Sequence, residues 1–258
     1  GRIIDRAVKW DLGVNFSLNR SKVLVLSEDK DIFGGELDNT ILKDQLNLMR
    51  VGEPMYVFYG YVEDGYDENG HIVYKNMDDD PAITAADKTI IGDPNPDFLV
   101  NLTTAVSYKG FTLSAFFQSS IGNDIYSLSM AAQAYDYGYN GNTLREVYYN
   151  HWTPENPTAK YPNLDQTSYK MSDRFVYDGS FVRLKNLELA YDVPCARSKF
   201  IKRARVYVSA QNLFTITSYP FWDPDINANG GGSSMIQGVD SYCYPSARTY
   251  TIGCRLTF

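Results

Sequence analysis

The chain has 258 residues, a formal net charge of −7 and an aromatic share of 14%, made of 21 Tyr, 13 Phe and 3 Trp. The acidic balance argues against a nucleic-acid binder, which needs a basic surface. No apolar run approaches the roughly 18 residues of a membrane-spanning helix. A membrane β-barrel is not excluded, because its strands hide their apolarity in alternation. Tyrosine suits positions where an apolar ring must end in a wet hydroxyl: strand proteins, sugar-binding surfaces and the interfacial girdles of barrels. The start, Gly1-Arg-Ile-Ile-Asp-Arg, lacks the apolar segment of a secretory leader. The expectation is therefore a cytoplasmic chain or a processed part of an exported one. Cys195, Cys243 and Cys254 have no Cys-x-x-Cys spacing and are read as unpaired, with a bridge between Cys195 and Cys243 as the alternative in an oxidising compartment.

In chain order, residues 8–18 alternate with every even position apolar, the cleanest strand pattern in the protein. Residues 31–43 are mixed and read as loop with a short element, and 55–62 read as an aromatic-rich strand. Residues 63–96 are acidic and rich in Gly, Asp, Asn and Pro, predicting a long loop with a small hairpin near His71. Strands over 98–108 and 111–118 follow, separated only by Lys109-Gly110, which predicts a tight hairpin. Residues 119–179 read as a second long loop with a helical turn or two near 143–150. The strand over 181–191 slips its apolar phase from Val182 and Leu184 to Leu187, Leu189 and Tyr191, predicting a bulge near Lys185-Asn186. Residues 203–214 alternate with Ala204, Val206, Val208 and Ala210 on one face, and 215–247 form a third long loop containing Gly230-Gly-Gly232.

The last stretch, from Arg248 to Phe258, puts Tyr250, Ile252, Cys254, Leu256 and Phe258 on one face, with Thr249, Thr251, Gly253, Arg255 and Thr257 on the other. One face is greasy and the other wet, which suits the wall of a transmembrane barrel. Long and short connections alternate along the chain, as they do where long loops lie outside the cell and short turns on the periplasmic side.

Chemical motifs are sparse. On a twelve-position calcium loop, Asn76, Asp78 and Asp80 take positions one, three and five, and Asp87 closes. Pro81 stands where such loops use Gly, and the competing reading is a solvated acidic loop. His71 and His151 lack metalloprotease spacing, and neither a nucleophile elbow nor a phosphate-binding Gly-Lys motif occurs, so no catalytic residue is assigned. Asp223 and Asp225 flank a Pro and read as turn chemistry rather than a glycosidase pair. Tyr135, Tyr137, Tyr139, Tyr219, Phe221 and Trp222 are candidate exposed rings, with Tyr219, Phe221 and Trp222 favoured for ligand or partner contact.

Taken together, several stretches resemble the carboxyl-terminal part of the SusC/RagA-type TonB-dependent outer-membrane transporters of Bacteroidetes. They are Lys9-Trp-Asp with Asn15-Phe-Ser; Val51-Gly-Glu-Pro with Phe58-Tyr-Gly-Tyr; Ile91-Gly-Asp-Pro-Asn-Pro-Asp-Phe; Gly122-Asn-Asp; and Trp152-Thr-Pro-Glu-Asn-Pro. Further along come the run from Ser172 to Asn186, Val208-Ser-Ala-Gln-Asn-Leu-Phe-Thr, Asp223-Pro-Asp, and the run from Tyr244 to Gly253. The resemblance implies an all-β, antiparallel up-and-down meander: residues 1–258 as part of the wall of a large barrel of the 22-stranded plugged type, without plug or TonB box. It also implies import of oligosaccharides or peptides across the outer membrane with a SusD-like surface lipoprotein as lid and TonB as energy source. Its loops often carry calcium-type acidic repeats, and its terminal strand is read by the barrel-assembly machinery. No other cofactor is expected. The alternative is a secreted all-β carbohydrate-binding module acting alone. As part of a wall, the chain is expected to expose sheet edges near Val8 and Ile252.

Overall fold

In the computed structural model, which describes residues 1–38, 42–135, 142–195, 200–226 and 235–258, seven strands form one antiparallel sheet in which spatial order follows chain order. They are β1 (Arg2–Asp5), β2 (Val8–Ser17), β3 (Phe98–Tyr108), β4 (Phe111–Ile121), β5 (Phe181–Val193), β6 (Arg203–Thr217) and β7 (Thr249–Thr257). This is the predicted up-and-down meander. The edges are β1 and β7, so the first exposed edge is at Arg2–Asp5 rather than near Val8, because the short, poorly alternating β1 pairs with β2 and covers it.

Two local predictions hold in register. Lys109 and Gly110 both take left-handed φ, 48° and 86°, the geometry of the tight turn whose twist matches its flanking strands. In β5, Leu184 pairs with Phe117 and Asn186 with Phe116. Lys185 is the extra residue, and the apolar phase changes across it as expected from a bulge.

An up-and-down sheet sends alternate connections to opposite ends. The short ones, β1–β2, β3–β4 and β5–β6, leave one end, and the three long ones leave the other. The long connections are not simple loops. The first carries a four-stranded sheet of Ile32–Phe33, Asn47–Met49, Val57–Gly60 and Thr89–Gly92, so the strand expected at 55–62 belongs here and not to the wall. The element expected within 31–43 is a short pairing of Glu36–Asp38 with Lys43–Gln45, and the hairpin near His71 joins Glu63–Tyr66 to Ile72–Tyr74. The second connection holds helices Leu128–Tyr135 and Arg145–Tyr149. Asp124–Ser127 and Val176–Asp178 of the second connection pair with each other, and the former also pairs in parallel with Val239–Asp240 of the third.

These segments share one hydrophobic core that includes Leu46, Phe58, Tyr74, Tyr126, Ala131, Met171, Phe175 and Val239. None of its buried members belongs to β1–β7. Burial here explains much of the tyrosine excess: Tyr61, Tyr74, Tyr126, Tyr135, Tyr161 and Tyr219 are all buried. The wall is thus a single layer, and the apolar core lies in a cap over one end of it.

Candidate functional site

The outward face of the wall is continuous. One row across all the longer strands runs Trp10, Val106, Leu113, Leu189, Val208 and Ile252. The row beside it runs Val8, Tyr108, Phe111, Tyr191, Val206 and Cys254. Ile252 is 84% exposed, and Tyr250, Cys254, Leu256 and Phe258 are exposed with it. Two polar side chains on this face are paired within the protein. Trp10 Nε1 donates to Thr104 Oγ1 at 2.9 Å, and Ser119 Oγ donates to the Val100 carbonyl at 2.5 Å.

The opposite face is polar, carrying Lys9, Asp11, Asn101, Gln118, Glu188, Arg205, Ser209, Thr251 and Arg255. The alternation in the sequence therefore separates an apolar face from a polar one, as it must when the side-chain period is two.

Where wall meets cap, Arg183 of β5 is the main tie. Its side chain is 2% exposed and forms ion pairs with Asp223 and with Asp225, the latter at 3.2 Å. Its Nε also donates to Thr215 Oγ1 at 2.9 Å. The Asp223 carboxylate accepts from the N–H groups of Asp225 and Ser246, both at 2.9 Å. Burial would raise the Asp223 carboxyl, but those N–H groups and the Arg183 guanidinium outweigh it and hold it below the usual carboxylate range. The turn reading of Asp223 and Asp225 is thus incomplete. They are also the counter-charges of a wall arginine, a long-range pairing that no local pattern in the sequence marks.

The candidate rings divide. Tyr219 is 4% exposed; its hydroxyl donates to Asp240 Oδ2 at 2.6 Å and lies 2.9 Å from Ser127 Oγ. Burial, then the Asp240 carboxylate, pushes that phenol well above its ordinary value. Tyr135 is also buried, stacked on Tyr169 with centroids 3.8 Å apart. Neither ring is the exposed one the sequence predicted, because Tyr135 fills the cap core and Tyr219 is buried with its hydroxyl bonded to Asp240 and Ser127. Tyr137, Tyr139 and the glycines at 230–232 lie outside the described residues. Phe221 packs against the core and stacks on Trp222 with centroids 4.8 Å apart, leaving Trp222 61% exposed. Trp222 borders a cleft of about 330 Å³ lined also by Arg183, Thr217, Pro245 and Arg248.

The acidic loop is organised by its own backbone. Asn76, Asp78 and Asp80 each accept the N–H two residues on, at 3.1, 2.8 and 3.0 Å. Asp87 accepts from Met77 N and Thr84 N, both at 2.7 Å, and these N–H groups lower its carboxyl from its ordinary value. Among the described residues no three acidic, histidine or cysteine side chains are gathered as a metal site requires. The three cysteines are free, so the alternative bridge between Cys195 and Cys243 is not made. No helix among the described residues is long and apolar enough to cross a membrane.

No protein-family model matches the chain. It is similar to TonB-dependent receptor P3 of Formosa agariphila, 31% identical over 277 residues that cover 99% of this chain and 27% of that protein. It is similar to TonB-dependent receptor SusC of Bacteroides thetaiotaomicron, 28% identical over 99% of this chain and 25% of that protein. Among solved structures it superposes on the RagAB peptide transporter with a TM-score of 0.80 at 25% identity, over 100% of this chain and 28% of the matched one. The chain spans about a quarter of the length of the curated relatives it matches.

Proposed function

On the premise that the chain is homologous to the SusC-type TonB-dependent receptors over nearly its whole length, we propose that it is the carboxyl-terminal part of an outer-membrane nutrient importer. It supplies a sector of barrel wall and the cap above it. The observation that carries this reading is the outward belt. The eleven residues of β3 extend about 34 Å at about 3.4 Å per residue. Tilted by about 40–45°, they cross about 24–26 Å, the height of the apolar band of an outer-membrane barrel. Aromatic rings stand at both ends of it: Tyr108 with the pair Phe111–Tyr191, and the stacked pair Phe16–Phe98.

The cargo is a small oligosaccharide or peptide passing along the polar face, and the partner is a SusD-like surface lipoprotein docking over the cap; TonB acts through a part of the polypeptide outside this chain. The role is transport, with no catalytic step. The secreted carbohydrate-binding module receives no support, since a free module would leave the whole belt bare in water. The test is deletion of the full gene, with uptake of labelled oligosaccharide and peptide pools, and affinity purification of the full-length protein from outer membranes. Loss of uptake of one pool and recovery of a lipoprotein supports the reading. Unchanged uptake with the protein in the soluble fraction removes it.

Calcium at Asn76, Asp78, Asp80 and Asp87 remains a separate proposal. Each backbone N–H bond uses one acceptor site of its side chain, which leaves carboxylate lone pairs on Asp78, Asp80 and Asp87 free to ligate. Calorimetric titration of the full-length protein with calcium, against an Asp78→Asn, Asp80→Asn variant, decides it.

A further inference from the structure

The inner face of the wall meets the cap along a row of side chains that crosses five strands: Asn15 of β2, Asn101 of β3, Gln118 of β4, Arg183 of β5 and Thr215 of β6. Two adjoining clefts open along this junction. One, of about 250 Å³, is lined by Asn101, Gln118, Asn123 and Phe181; the other is the cleft of about 330 Å³ beside Trp222, and Pro224 borders both. Four buried side-chain polar atoms among the described residues have no hydrogen-bond partner. Two are phenols of the cap core, on Tyr126 and Tyr135. The other two are carboxamide oxygens on the wall, Oδ1 of Asn101, which lines the first cleft, and Oδ1 of Asn212, which lines the second. A buried acceptor without a donor costs free energy until something supplies one. The charged groups here mostly satisfy one another: Arg183 pairs with Asp223 and Asp225, and Lys185 lies 3.8 Å from Asp225. Arg248, exposed at the edge of the second cleft, is the exception.

We propose that the two clefts form one binding track for a neutral oligosaccharide, with Trp222 as its stacking platform and Asn101 and Asn212 as acceptors for sugar hydroxyls. A pyranose presents an apolar face of C–H groups and a rim of hydroxyls that donate and accept. It therefore fits a flat ring beside neutral hydrogen-bonding groups and needs no counter-charge. Trp222 is such a ring: it is 61% exposed, and Phe221, stacked on it with the planes 17° apart, packs in turn against the cap core. A platform fixed before the ligand arrives loses little entropy on binding. Asn101, Gln118 and Asn212 supply the neutral groups, and a hydroxyl accepts from Arg248 as a carboxylate does. Asn101 and Asn212 stand on β3 and β6, three strand spacings apart, a span of about 14 Å at about 4.8 Å per spacing. One ring cannot touch both, so the ligand is a chain of linked rings. A peptide fits less well, because its charged ends meet no unmatched charge here except Arg248. The inference rests on the importer reading above and deepens it, choosing between the two cargo classes and placing the contact.

The test uses the purified full-length protein in calorimetric titrations with neutral hexasaccharides of several linkages, their monosaccharides, and a hexapeptide mixture. The wild type is expected to bind at least one hexasaccharide, and to bind its monosaccharide about tenfold more weakly or worse. Trp222→Ala and Asn101→Leu are each expected to weaken hexasaccharide binding by about tenfold, while Trp222→Phe, which keeps a ring, retains most of it. A merely structural role for Asn101 would lower the unfolding midpoint and leave the affinity alone. Four results overturn the proposal: no hexasaccharide bound, peptides bound more tightly, a monosaccharide bound as well as its chain, or affinities unchanged in the variants because water already serves those oxygens. Loss of a co-purifying lipoprotein from Trp222→Ala with sugar binding intact also overturns it, since Trp222 would then be a partner contact. The two readings fail by different signals. Wild-type protein in the soluble fraction removes the importer, whereas a heat-modifiable outer-membrane barrel whose sugar binding ignores these substitutions removes only the track.

Discussion

Arg183 on the inner face of the wall and Asp223 in the third long connection form an ion pair in which the side chains are 2% and 7% exposed. A pair so far from water is held by geometry as much as by charge, since each partner loses its hydration on folding. Here Thr215, Asp225 and Ser246 provide the remaining hydrogen bonds. Removing Asp223 leaves the buried guanidinium with the partly exposed Asp225, at 3.2 Å, as its counter-charge, and Asp223→Ala is expected to destabilise the full-length protein by about 3 kcal/mol. The double variant Arg183→Met, Asp223→Leu, which removes both charges, is expected to cost markedly less. Denaturant unfolding of the three proteins checks this. Equal losses in single and double variants would show that packing, not the stranded charge, sets the cost.

The same pair predicts a pH dependence. The folded Asp223 carboxyl lies below its unfolded value, so its contribution to stability is fully present above the unfolded value of about 3.9. It is lost as pH falls from there through the lower folded value. Stability measured from pH 6 down to pH 2 should therefore fall less steeply in the double variant than in the wild type.

The outward belt makes a depth-dependent prediction. Val208 stands in the middle of the outward series of β6, and Ser209 beside it faces inward. Val208→Arg is expected to cost about 2–4 kcal/mol when the full-length barrel is folded into lipid vesicles. Ser209→Arg, on the wet face, should cost well under half of that. Similar penalties at both positions would mean that the belt does not face hydrocarbon.

Tyr219 tests whether the cap depends on its buried polar node. Tyr219→Phe keeps the ring and removes the hydrogen bond to Asp240, whose carboxylate is buried and otherwise held by Ser129 Oγ at 3.0 Å and Cys243 N at 3.2 Å. The expected loss is about 1.5–3 kcal/mol, read as earlier protease cleavage in residues 219–240 while the wall stays intact. Cleavage unchanged from wild type would show that Ser129 and Cys243 suffice.

Gly70 reports on the packing of the first connection against the second. It has φ of +80°, and a Cβ there would be built into the Trp152 ring. Gly70→Ala is expected to cost about 2 kcal/mol or more from backbone strain and overpacking together. Trp152→Ala in the same background should recover part of it, giving a non-additive cycle. Strict additivity would separate the two residues.

The sequence by itself determined the wall from β2 onward. Side chains alternate in a strand with period two, so the outward series on β2, β3, β6 and β7, the Lys109-Gly110 turn and the bulge at Lys185 were all legible from local pattern. Only the tertiary structure decided the cap. Its strands are mostly three or four residues long, too short for a period to show, and its core is assembled from connections that lie far apart in the chain. The burial of Tyr135 and Tyr219, the parallel pairing of Asp124–Ser127 with Val239–Asp240, and the meeting of Arg183 with Asp223 are long-range outcomes. A residue's type shows what it can bond with, but which distant partner reaches it depends on how the three long connections close over one end of the sheet.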